Sequence, residues 1–247
     1  MKAMILAAGL GTRLRPLTNN RPKALVELGG RTLLEITLSR LRQFGVDEVI
    51  VNVHHFADMV VDYAAAHDNF GMRIEISREE TLLDTGGGLK KAAWFFLENS
   101  SSASEPFVLH NVDVLSNIDL GRMLAFHREQ SALATLAVQD RETSRYLLFD
   151  SALKLCGRRA GEDGEPELVH PVSRLDALAF SGIHAISPRL LTMLSEEVPF
   201  SIITSYLRLA ARGESVCAFR ADEYYWRDLG KPENITQAEL DLKNKPV

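Results

Sequence analysis

The chain has 247 residues, of which 46% are hydrophobic and 25% are charged, and its formal net charge at pH 7 is −5. This length is enough to bury the core of one large α/β domain or of a domain with a smaller lobe, and the composition is that of an ordinary folded protein. The negative charge excludes a general attraction to nucleic acid or to an anionic membrane, so a phosphate site would have to be local. We therefore expect neither nucleic acid nor a membrane as a partner.

The two cysteines, Cys156 and Cys217, are far apart in sequence and have no C-x-x-C spacing, which argues against a disulfide framework and against a zinc site. No apolar run is long enough to span a bilayer. The apolar run at residues 4–8 stops at Gly9 and lacks the cleavage region of a signal peptide. These features favour a protein of the reducing cytoplasm.

The apolar run at residues 4–8 predicts a short buried strand that ends at Gly9 and Gly11. Glycine lets the main chain approach a ligand closely and allows positive φ. The backbone N–H groups from Leu6 to Thr12 can therefore face an anion as a group.

Two cations follow these glycines. Arg13 comes directly after them, and Lys23 lies beyond a segment bounded by two prolines, which should be stiff. Loop amides, a guanidinium and an ammonium together outline a triphosphate site. No Gly-Lys-Ser/Thr sequence closes a Walker loop, and Leu14 stands where a dinucleotide fingerprint needs its third glycine. A glycine turn beside surface cations remains the alternative interpretation.

Strands and helices alternate along the first half of the chain, which predicts a parallel sheet with covering helices. Strands are expected at residues 4–8, 48–53, 73–77, 107–114 and 132–138, and helices from a capping box at 32–35 to Gly45 and at 56–66, 89–98 and 119–129. Residues 99–106 are predicted to form a surface loop. The second half favours a hairpin of 146–149 with 153–155, a loop at 158–166, strands at 175–187 and 216–220, helices at 188–196 and 201–212, and a polar helix at the end.

Three further places carry chemistry. Asn52 ends the second strand, at the edge where open α/β sheets place ligands. Three glycines at 86–88 precede the predicted helix at 89–98, and free N–H donors there suit a base or a ribose, with a flexible turn as the alternative. Asp113 ends a buried strand, where a carboxylate is costly unless it binds a cation such as Mg²⁺. A helix cap or a turn is the other interpretation of that aspartate.

The string LAAGLGTRLRPLTNNRPKAL at residues 6–25 resembles, nearly position for position, the N-terminal signature of the sugar-1-phosphate nucleotidyltransferases. Residues 107–114 resemble the family's second signature, with Val112 where many members have glycine. WRDLGKPEN at residues 226–234 resembles the third. The resemblance spans the whole chain and is closest to short members, such as the N-acetylmuramate-1-phosphate uridylyltransferases and the mannose- or heptose-1-phosphate guanylyltransferases.

This resemblance implies an α/β fold with a Rossmann-like, mostly parallel central sheet, helices on both faces and a small antiparallel acceptor lobe. A single nucleotidyltransferase domain would cover residues 1–247. Its parts would be a nucleotide-binding core at 1–140, an acceptor lobe with the second metal ligand at 141–230, and a C-terminal helix at 231–247.

The resemblance also implies roles for particular residues. The catalytic residues would be Arg13, Lys23, Asp113 and Asp228, of which the two aspartates would hold Mg²⁺. The nucleotide would bind to Leu6, Ala7, Ala8, Gly9, Gly11, Thr12, Arg13, Lys23, Asn52, Thr85, Gly86 and Gly87. The sugar side would involve Asn111, Arg145 and Gly182. The glutamate-lysine-proline element that holds the sugar phosphate in many relatives is missing, and Arg174 or Glu165 are its candidate replacements.

The implied reaction joins a nucleoside triphosphate, UTP or GTP, and a sugar 1-phosphate to give a nucleoside-diphosphate sugar and pyrophosphate. The DTGGG segment favours the N-acetylmuramate type with UTP, and a mannose- or heptose-1-phosphate guanylyltransferase is the alternative. A non-catalytic regulatory subunit would be expected to lack Lys23 or a metal aspartate, and a nicotinamide-dependent oxidoreductase is disfavoured by Leu14. We expect a monomer or a homodimer.

Overall fold

The structure is a computed structural model that describes residues 1–98 and 105–244, with only the main chain of Asn244. Its strands are β1 (Lys2–Leu6), β2 (Glu27–Leu28), β3 (Arg31–Thr32), β4 (Glu48–Val53), β5 (Arg73–Arg78), β6 (Phe107–Asn111), β7 (Val114–Ser116), β8 (Ala134–Gln139), β9 (Arg145–Phe149), β10 (Leu155–Ala160), β11 (Glu167–Leu168), β12 (Asp176–Ile186), β13 (Val216–Arg220) and β14 (Trp226–Asp228). Residues 99–104 of the predicted surface loop lie outside the described residues.

The α-helices are α1 (Leu33–Gln43), α2 (Ala57–Ala66), α3 (Asp84–Lys91), α4 (Ala93–Leu97), α5 (Leu120–Glu129), α6 (Ile202–Ala211) and α7 (Pro232–Asn244). Short 3₁₀ helices occupy Thr12–Leu14, Lys23–Leu25, Asp68–Gly71 and Pro188–Met193, the last of these in place of the predicted helix at 188–196. Across residues 1–98 and 105–244, none of the helices has both the length and the apolar character that a bilayer crossing requires.

The chain divides into two compact units. The first contains Met1–Leu83, Leu109–Ile118 and Tyr224–Val247, and the second contains Asp84–Val108 and Asp119–Glu223. These boundaries differ from those predicted at residues 140 and 230, because the chain leaves the first unit and returns to it twice. The first unit thereby collects the N-terminal signature, the end of the second signature and the third.

The first unit is built on parallel strands. β4 pairs with β1 on one side and with β5 on the other, both in parallel, and β6 lies next to β1. Every residue of β1 is buried, and from Ala3 to Leu6 the side chains on both faces are apolar, as expected for a central strand. The predicted start of α1 is confirmed, since the Thr32 side chain accepts a hydrogen bond from the Glu35 N–H. The second half of the capping box is not formed as predicted, because the Glu35 carboxylate accepts from Arg31 and from the Tyr63 hydroxyl. These features confirm the predicted class of a mostly parallel sheet with helices.

The second unit is largely antiparallel. β12 pairs with β8 and β9, β9 pairs with β10, and β10 pairs with β11, all antiparallel, while β13 runs parallel to β8. The hairpin of β9 and β10 was predicted, but β10 continues to Ala160, so the loop predicted at 158–166 begins later. Gly157 allows this, because a Cβ there would lie 2.5 Å from the Glu167 carbonyl oxygen of the short strand β11.

The three glycines at residues 86–88 lie inside α3, so the prediction that they precede a helix is wrong. The N–H groups of Gly86 and Gly87 donate to the Phe200 carbonyl oxygen, at 2.9 and 3.3 Å. In return the Thr85 hydroxyl accepts from the Ile202 N–H at 3.0 Å. The first turn of α3 is therefore satisfied by the chain itself, and the glycines let Phe200 approach it.

Gly86→Ala should destabilise the protein, although alanine in place of glycine usually stabilises a helix. A Cβ on Gly86 would lie 2.2 Å from Phe200 Cε2 and 2.9 Å from the Phe200 carbonyl oxygen. We expect a loss of about 1–3 kcal/mol in the free energy of unfolding, measured by urea denaturation. Gly121→Ala, on the exposed side of α5, is the matched control and should be neutral or stabilising by up to about 1 kcal/mol. A gain in stability for Gly86→Ala would contradict this packing.

Candidate active site

The glycine loop begins where β1 ends and is held at both of its sides. The Leu6 carbonyl oxygen accepts from the Val112 N–H at 3.1 Å, and the Ala7 N–H donates to Asn52 Oδ1 at 2.7 Å. The Ala7 amide is therefore already bonded, unlike the free donor that the sequence predicts there. The amides that can face a ligand as a group are those further along the loop.

Gly11 gives the loop its turn. Its φ is +64°, and a Cβ there would lie 3.0 Å from Thr18 Cγ2. Its carbonyl oxygen accepts from the Leu14 N–H at 2.9 Å and from the Thr18 hydroxyl at 2.8 Å. The residue has the left-handed conformation that favours glycine, and a side chain there would press against Thr18.

Lys23 lies against this loop. It begins the 3₁₀ helix Lys23–Leu25 after Pro22, and a Cβ on Gly9 would be 3.7 Å from its Nζ. The ammonium donates to Asp113 Oδ2 at 2.8 Å, and the two side chains are only 15% and 13% exposed. The structure thus brings together the predicted cation of the first signature and the predicted metal ligand of the second.

The main chains of Asp113 and Asp228 meet at the pair of strands β7 and β14. Asp228 lies opposite Val114 in this antiparallel pair, and the Leu229 N–H donates to the Asp113 carbonyl oxygen at 2.7 Å. The predicted strand at 107–114 is therefore interrupted after Asn111, because residues 112 and 113 pass from β6 to β7. Two aspartates remote in sequence become neighbours through this pairing.

Arg13 lies beside the same strand end. A Cβ on Gly230 would be 2.8 Å from Arg13 Nη2 and 2.7 Å from Asp228 Oδ1, so the guanidinium and the carboxylate flank one glycine. The Gly230 N–H donates to Asp228 Oδ1 at 2.6 Å. Asn234 Nδ2 donates to the Asp228 carbonyl oxygen at 2.7 Å, which holds the main chain in place.

Asp113 and Asp228 are the predicted ligands of a Mg²⁺ ion, and that role stays a prediction. Within residues 1–98 and 105–244, Asp113 Oδ1 and Asp228 Oδ2 accept no hydrogen bond, and no group of three or more histidine, cysteine, aspartate or glutamate side chains could hold a metal. A site with two carboxylates leaves most coordination positions to other ligands. Mg²⁺ is commonly bound in this way, through one or two carboxylates together with substrate phosphates and water.

His110 lies on β6 three residues before Asp113. It is fully buried, and its Nδ1 lies 2.8 Å from the Asn111 carbonyl oxygen. Burial lowers the pKa of His110 to about 4, so the imidazole is neutral near pH 7 and adds no charge beside the aspartate. A carbonyl oxygen only accepts, so Nδ1 carries the proton.

The residues predicted for the base and the sugar lie mostly in the second unit. Thr85, Gly86 and Gly87 form the start of α3, where their polar groups bond to residues 200–202. Arg145 is an exposed residue at the start of β9, and Gly182 has φ of +75° where the register of β12 against β8 is interrupted. Their roles, and that of Asn111 at the end of β6, stay predictions.

Two functional candidates were missed by the sequence prediction. Glu79 accepts from the side chain of Asn52, and Gly230 leaves open the space next to Arg13 and Asp228 that a Cβ would fill. The glycine of the third signature was a signal for Gly230. A lone glutamate after a strand offers no comparable signal.

The nucleotidyl transferase family model matches residues 2–148, which is more than half of the chain. N-acetylmuramate alpha-1-phosphate uridylyltransferase of Caulobacter vibrioides is 35% identical over 248 residues, which cover 97% of this chain and 96% of that protein. Mannose-1-phosphate guanyltransferase of Yarrowia lipolytica is 28% identical over 95% of this chain but only 62% of its own length. The chain therefore belongs to the nucleotidyl transferase family, as its three signatures predict.

Two solved structures share the fold. A putative glucose-1-phosphate thymidylyltransferase from Bacillus anthracis has a TM-score of 0.79 at 18% identity and covers 100% of this chain and 97% of its own. HddC from Yersinia pseudotuberculosis, complexed with GMP-PN, has a TM-score of 0.75 at 20% identity, with coverage of 98% and 99%. At this identity the likeness concerns the fold alone, and it confirms the predicted fold class.

The contact between Lys23 and Asp113 should couple these two residues in stability. Lys23→Met and Asp113→Asn, singly and together, form a double-mutant cycle measured by urea unfolding without divalent cations. Because both groups are mostly buried, we expect a coupling energy of about 1–2 kcal/mol. The exposed pair of Arg158 and Glu167, at 2.6 Å, is the control and should give at most about 1 kcal/mol. Equal coupling in the two cycles would argue against a special role for the Lys23 contact.

Proposed function

We propose that this protein transfers uridylate from UTP to a sugar 1-phosphate of the N-acetylmuramate type, giving a UDP-sugar and pyrophosphate. The observation that carries the proposal is the contact of Lys23 with Asp113 against the glycine loop, with Asp228 on the neighbouring strand. The choice of substrates is supported by the uridylyltransferase of Caulobacter vibrioides, which matches over nearly its whole length.

In the proposed reaction, an oxygen of the sugar phosphate attacks the α-phosphorus of UTP. The bond between this phosphorus and the oxygen bridging to the β-phosphate breaks, and its electron pair leaves with pyrophosphate. A phosphate monoester has a second pKa of about 6, so the nucleophile is already mostly dianionic at neutral pH. The reaction therefore needs no general base. It needs alignment of two anions and neutralisation of the charge that develops.

The cations of the first unit fit these needs. Lys23 would face the α-phosphate as its charge increases, and Arg13 with the amides of residues 9–12 would receive the pyrophosphate. Fixed cations and amides stabilise such charge well because they need little rearrangement during the reaction. The bonds of Gly11 to Leu14 and Thr18 support this role, since they fix the turn of the loop.

Asp113 and Asp228 would hold the Mg²⁺ ion of the proposed reaction. When bound, the ion supplies positive charge to the reacting phosphates. Asp113 Oδ1 is available for this while Oδ2 accepts from Lys23. Binding of the metal at Asp113 would weaken the hold of this carboxylate on the ammonium and leave Lys23 freer to turn to phosphate.

A second candidate is guanylyl transfer to mannose 1-phosphate or a heptose 1-phosphate. Mannose-1-phosphate guanyltransferases from several organisms are 27–30% identical over 95% or more of the chain. The chain spans 62–65% of the length of these relatives. The uridylyltransferase of Caulobacter vibrioides is more similar in sequence, at 35% identity, and this favours the first candidate. A non-catalytic subunit would be expected to lack one of the proposed catalytic groups, and Lys23, Asp113 and Asp228 are all present.

The substrate proposal is tested by pyrophosphate release from UTP, GTP, dTTP and ATP, each with N-acetylmuramate, mannose, heptose and glucose 1-phosphates. We expect UTP with N-acetylmuramate 1-phosphate to give the highest kcat/KM. The highest value for GTP with mannose or heptose 1-phosphate would establish the second candidate instead. No release from any pair, with triphosphate still bound, would indicate a binding subunit. Cytoplasmic location and a monomeric or homodimeric state remain predictions of the sequence.

Loss of one charged group should reduce turnover strongly. We expect Asp113→Asn, Asp228→Asn and Lys23→Ala each to lower kcat by about 10²–10³-fold, the usual effect of removing one such electrostatic group. Asp62→Asn, on the exposed side of α2, is the matched control and should keep full activity. Near-normal turnover in any of the three variants would remove that residue from the proposed mechanism.

Removal of divalent cations should abolish the transfer. We expect EDTA to stop pyrophosphate release and excess Mg²⁺ to restore it. Calorimetry should show one Mg²⁺ bound together with UTP in the wild-type protein and weaker metal binding in Asp228→Asn. Full activity in EDTA would show that the two aspartates serve another purpose.

A further inference from the structure

A buried carboxylate outside the predicted site is connected to the glycine loop through one side chain, that of Asn52. Glu79 follows β5 directly and is only 5% exposed. Its Oε1 accepts from Asn52 Nδ2 at 2.7 Å, and its Oε2 accepts from the Leu83 N–H at 3.1 Å. Both carboxylate oxygens are thus used, as expected of a buried charged group in a folded protein.

The other end of the Asn52 side chain holds the glycine loop. Asn52 is 3% exposed, and its Oδ1 accepts from the Ala7 N–H at 2.7 Å. A carboxylate can only accept, so Glu79 requires the NH₂ group of Asn52 to face it. The carboxylate thereby sets the orientation of the amide and presents an acceptor to Ala7.

This set of contacts crosses the carboxyl ends of three adjacent parallel strands. Leu6 at the end of β1 pairs with Asn52 on β4, and Asn52 pairs with Ser77 on β5. The main chain of Glu79 is held as well, since its N–H donates to the Val53 carbonyl oxygen at 2.8 Å and its carbonyl oxygen lies 2.8 Å from His54 Nδ1. The main chain that carries the Glu79 carboxylate is therefore fixed to the end of β4.

We propose that Glu79 and Asn52 are positioning residues for the triphosphate loop. Glu79 fixes the Asn52 amide, Asn52 holds Ala7, and the amides of residues 9–12 are thereby aimed at the phosphates. This assignment rests on the proposed function for the identity of the ligand. It also changes the predicted role of Asn52 from a nucleotide contact to a support of the loop.

The carboxylate of Glu79 and the amide of Asn52 can be exchanged between the two positions by mutation. Asn52→Asp alone places two buried carboxylates against each other. Glu79→Gln alone leaves either Asn52 Nδ2 or the Leu83 N–H facing another donor. In the double variant, the new carboxylate at position 52 would accept from the Ala7 N–H and from the new side-chain amide at position 79. The oxygen of that amide would accept from the Leu83 N–H, so every hydrogen bond is restored and the net charge is unchanged.

The experiment compares the two single variants, the double variant and the wild type after each has been shown to fold by thermal unfolding. Calorimetry gives the Kd of UTP with Mg²⁺, steady-state kinetics gives KM for each substrate, and hydrogen exchange follows the peptide of residues 6–12. Each single variant should weaken UTP binding by roughly 10–100-fold and speed exchange in that peptide, with KM for the sugar 1-phosphate nearly unchanged. The double variant should return both values close to the wild type.

Glu75→Gln, on β5 with its side chain 38% exposed, is the matched control and should change neither readout. If a single variant does not fold, Asn52→Ala is used in its place. It removes the contacts with Ala7 and Glu79 without placing two carboxylates or two donors against each other, and it should show the same weakened binding of UTP. Unchanged UTP binding and exchange in the single variants, or a double variant that is worse than either, would overturn the assignment. If the wild type binds no triphosphate, the proposed function fails, whereas the exchange data still decide whether Glu79 holds the loop.

Discussion

The contact between the Lys23 ammonium and the Asp113 carboxylate is the interaction on which the arrangement of the first unit depends. The residues are 90 positions apart and meet at 2.8 Å in a place that is mostly closed to water. A charge pair in such a place is favourable only if its geometry is well supported. Here the glycine loop lies over the lysine, and the Leu229 N–H holds the main chain of the aspartate. Each of the three signature segments therefore contributes to this one contact.

Much of this arrangement could be predicted because its signals are local. The N-cap of α1 and the residue it bonds to lie within four residues, and the strand at Glu48–Val53 shows its apolar pattern without help from distant segments. The glycines, Arg13 and Lys23 occur in one short string, which is why a resemblance could suggest a shared site for them. The family and the fold class followed from these strings, and both are confirmed.

The remainder could not be predicted because it depends on partners far away in sequence. Gly86 and Gly87 were expected to offer free N–H donors, but the Phe200 carbonyl oxygen takes them. Asn52 bonds to Ala7 and to Glu79, and the contact with Glu79, 27 positions away, has no signal in the sequence around Asn52. Whether a buried polar group bonds to a ligand or to another part of the protein depends on which residues pack beside it. A single sequence does not show which distant segments supply those residues.

The charges of the first unit also explain how an acidic protein could bind a triphosphate. Arg13 and Lys23 lie beside Asp228 and Asp113, so these four side chains carry no net charge together. Without a metal, the carboxylates would repel the phosphates about as strongly as the cations attract them. On the proposed function, a divalent cation at the aspartates would change this balance, because it would neutralise the two acids and leave the two basic groups for phosphate. On the proposed function, metal and triphosphate should therefore bind cooperatively, and each would strengthen the binding of the other by the same factor.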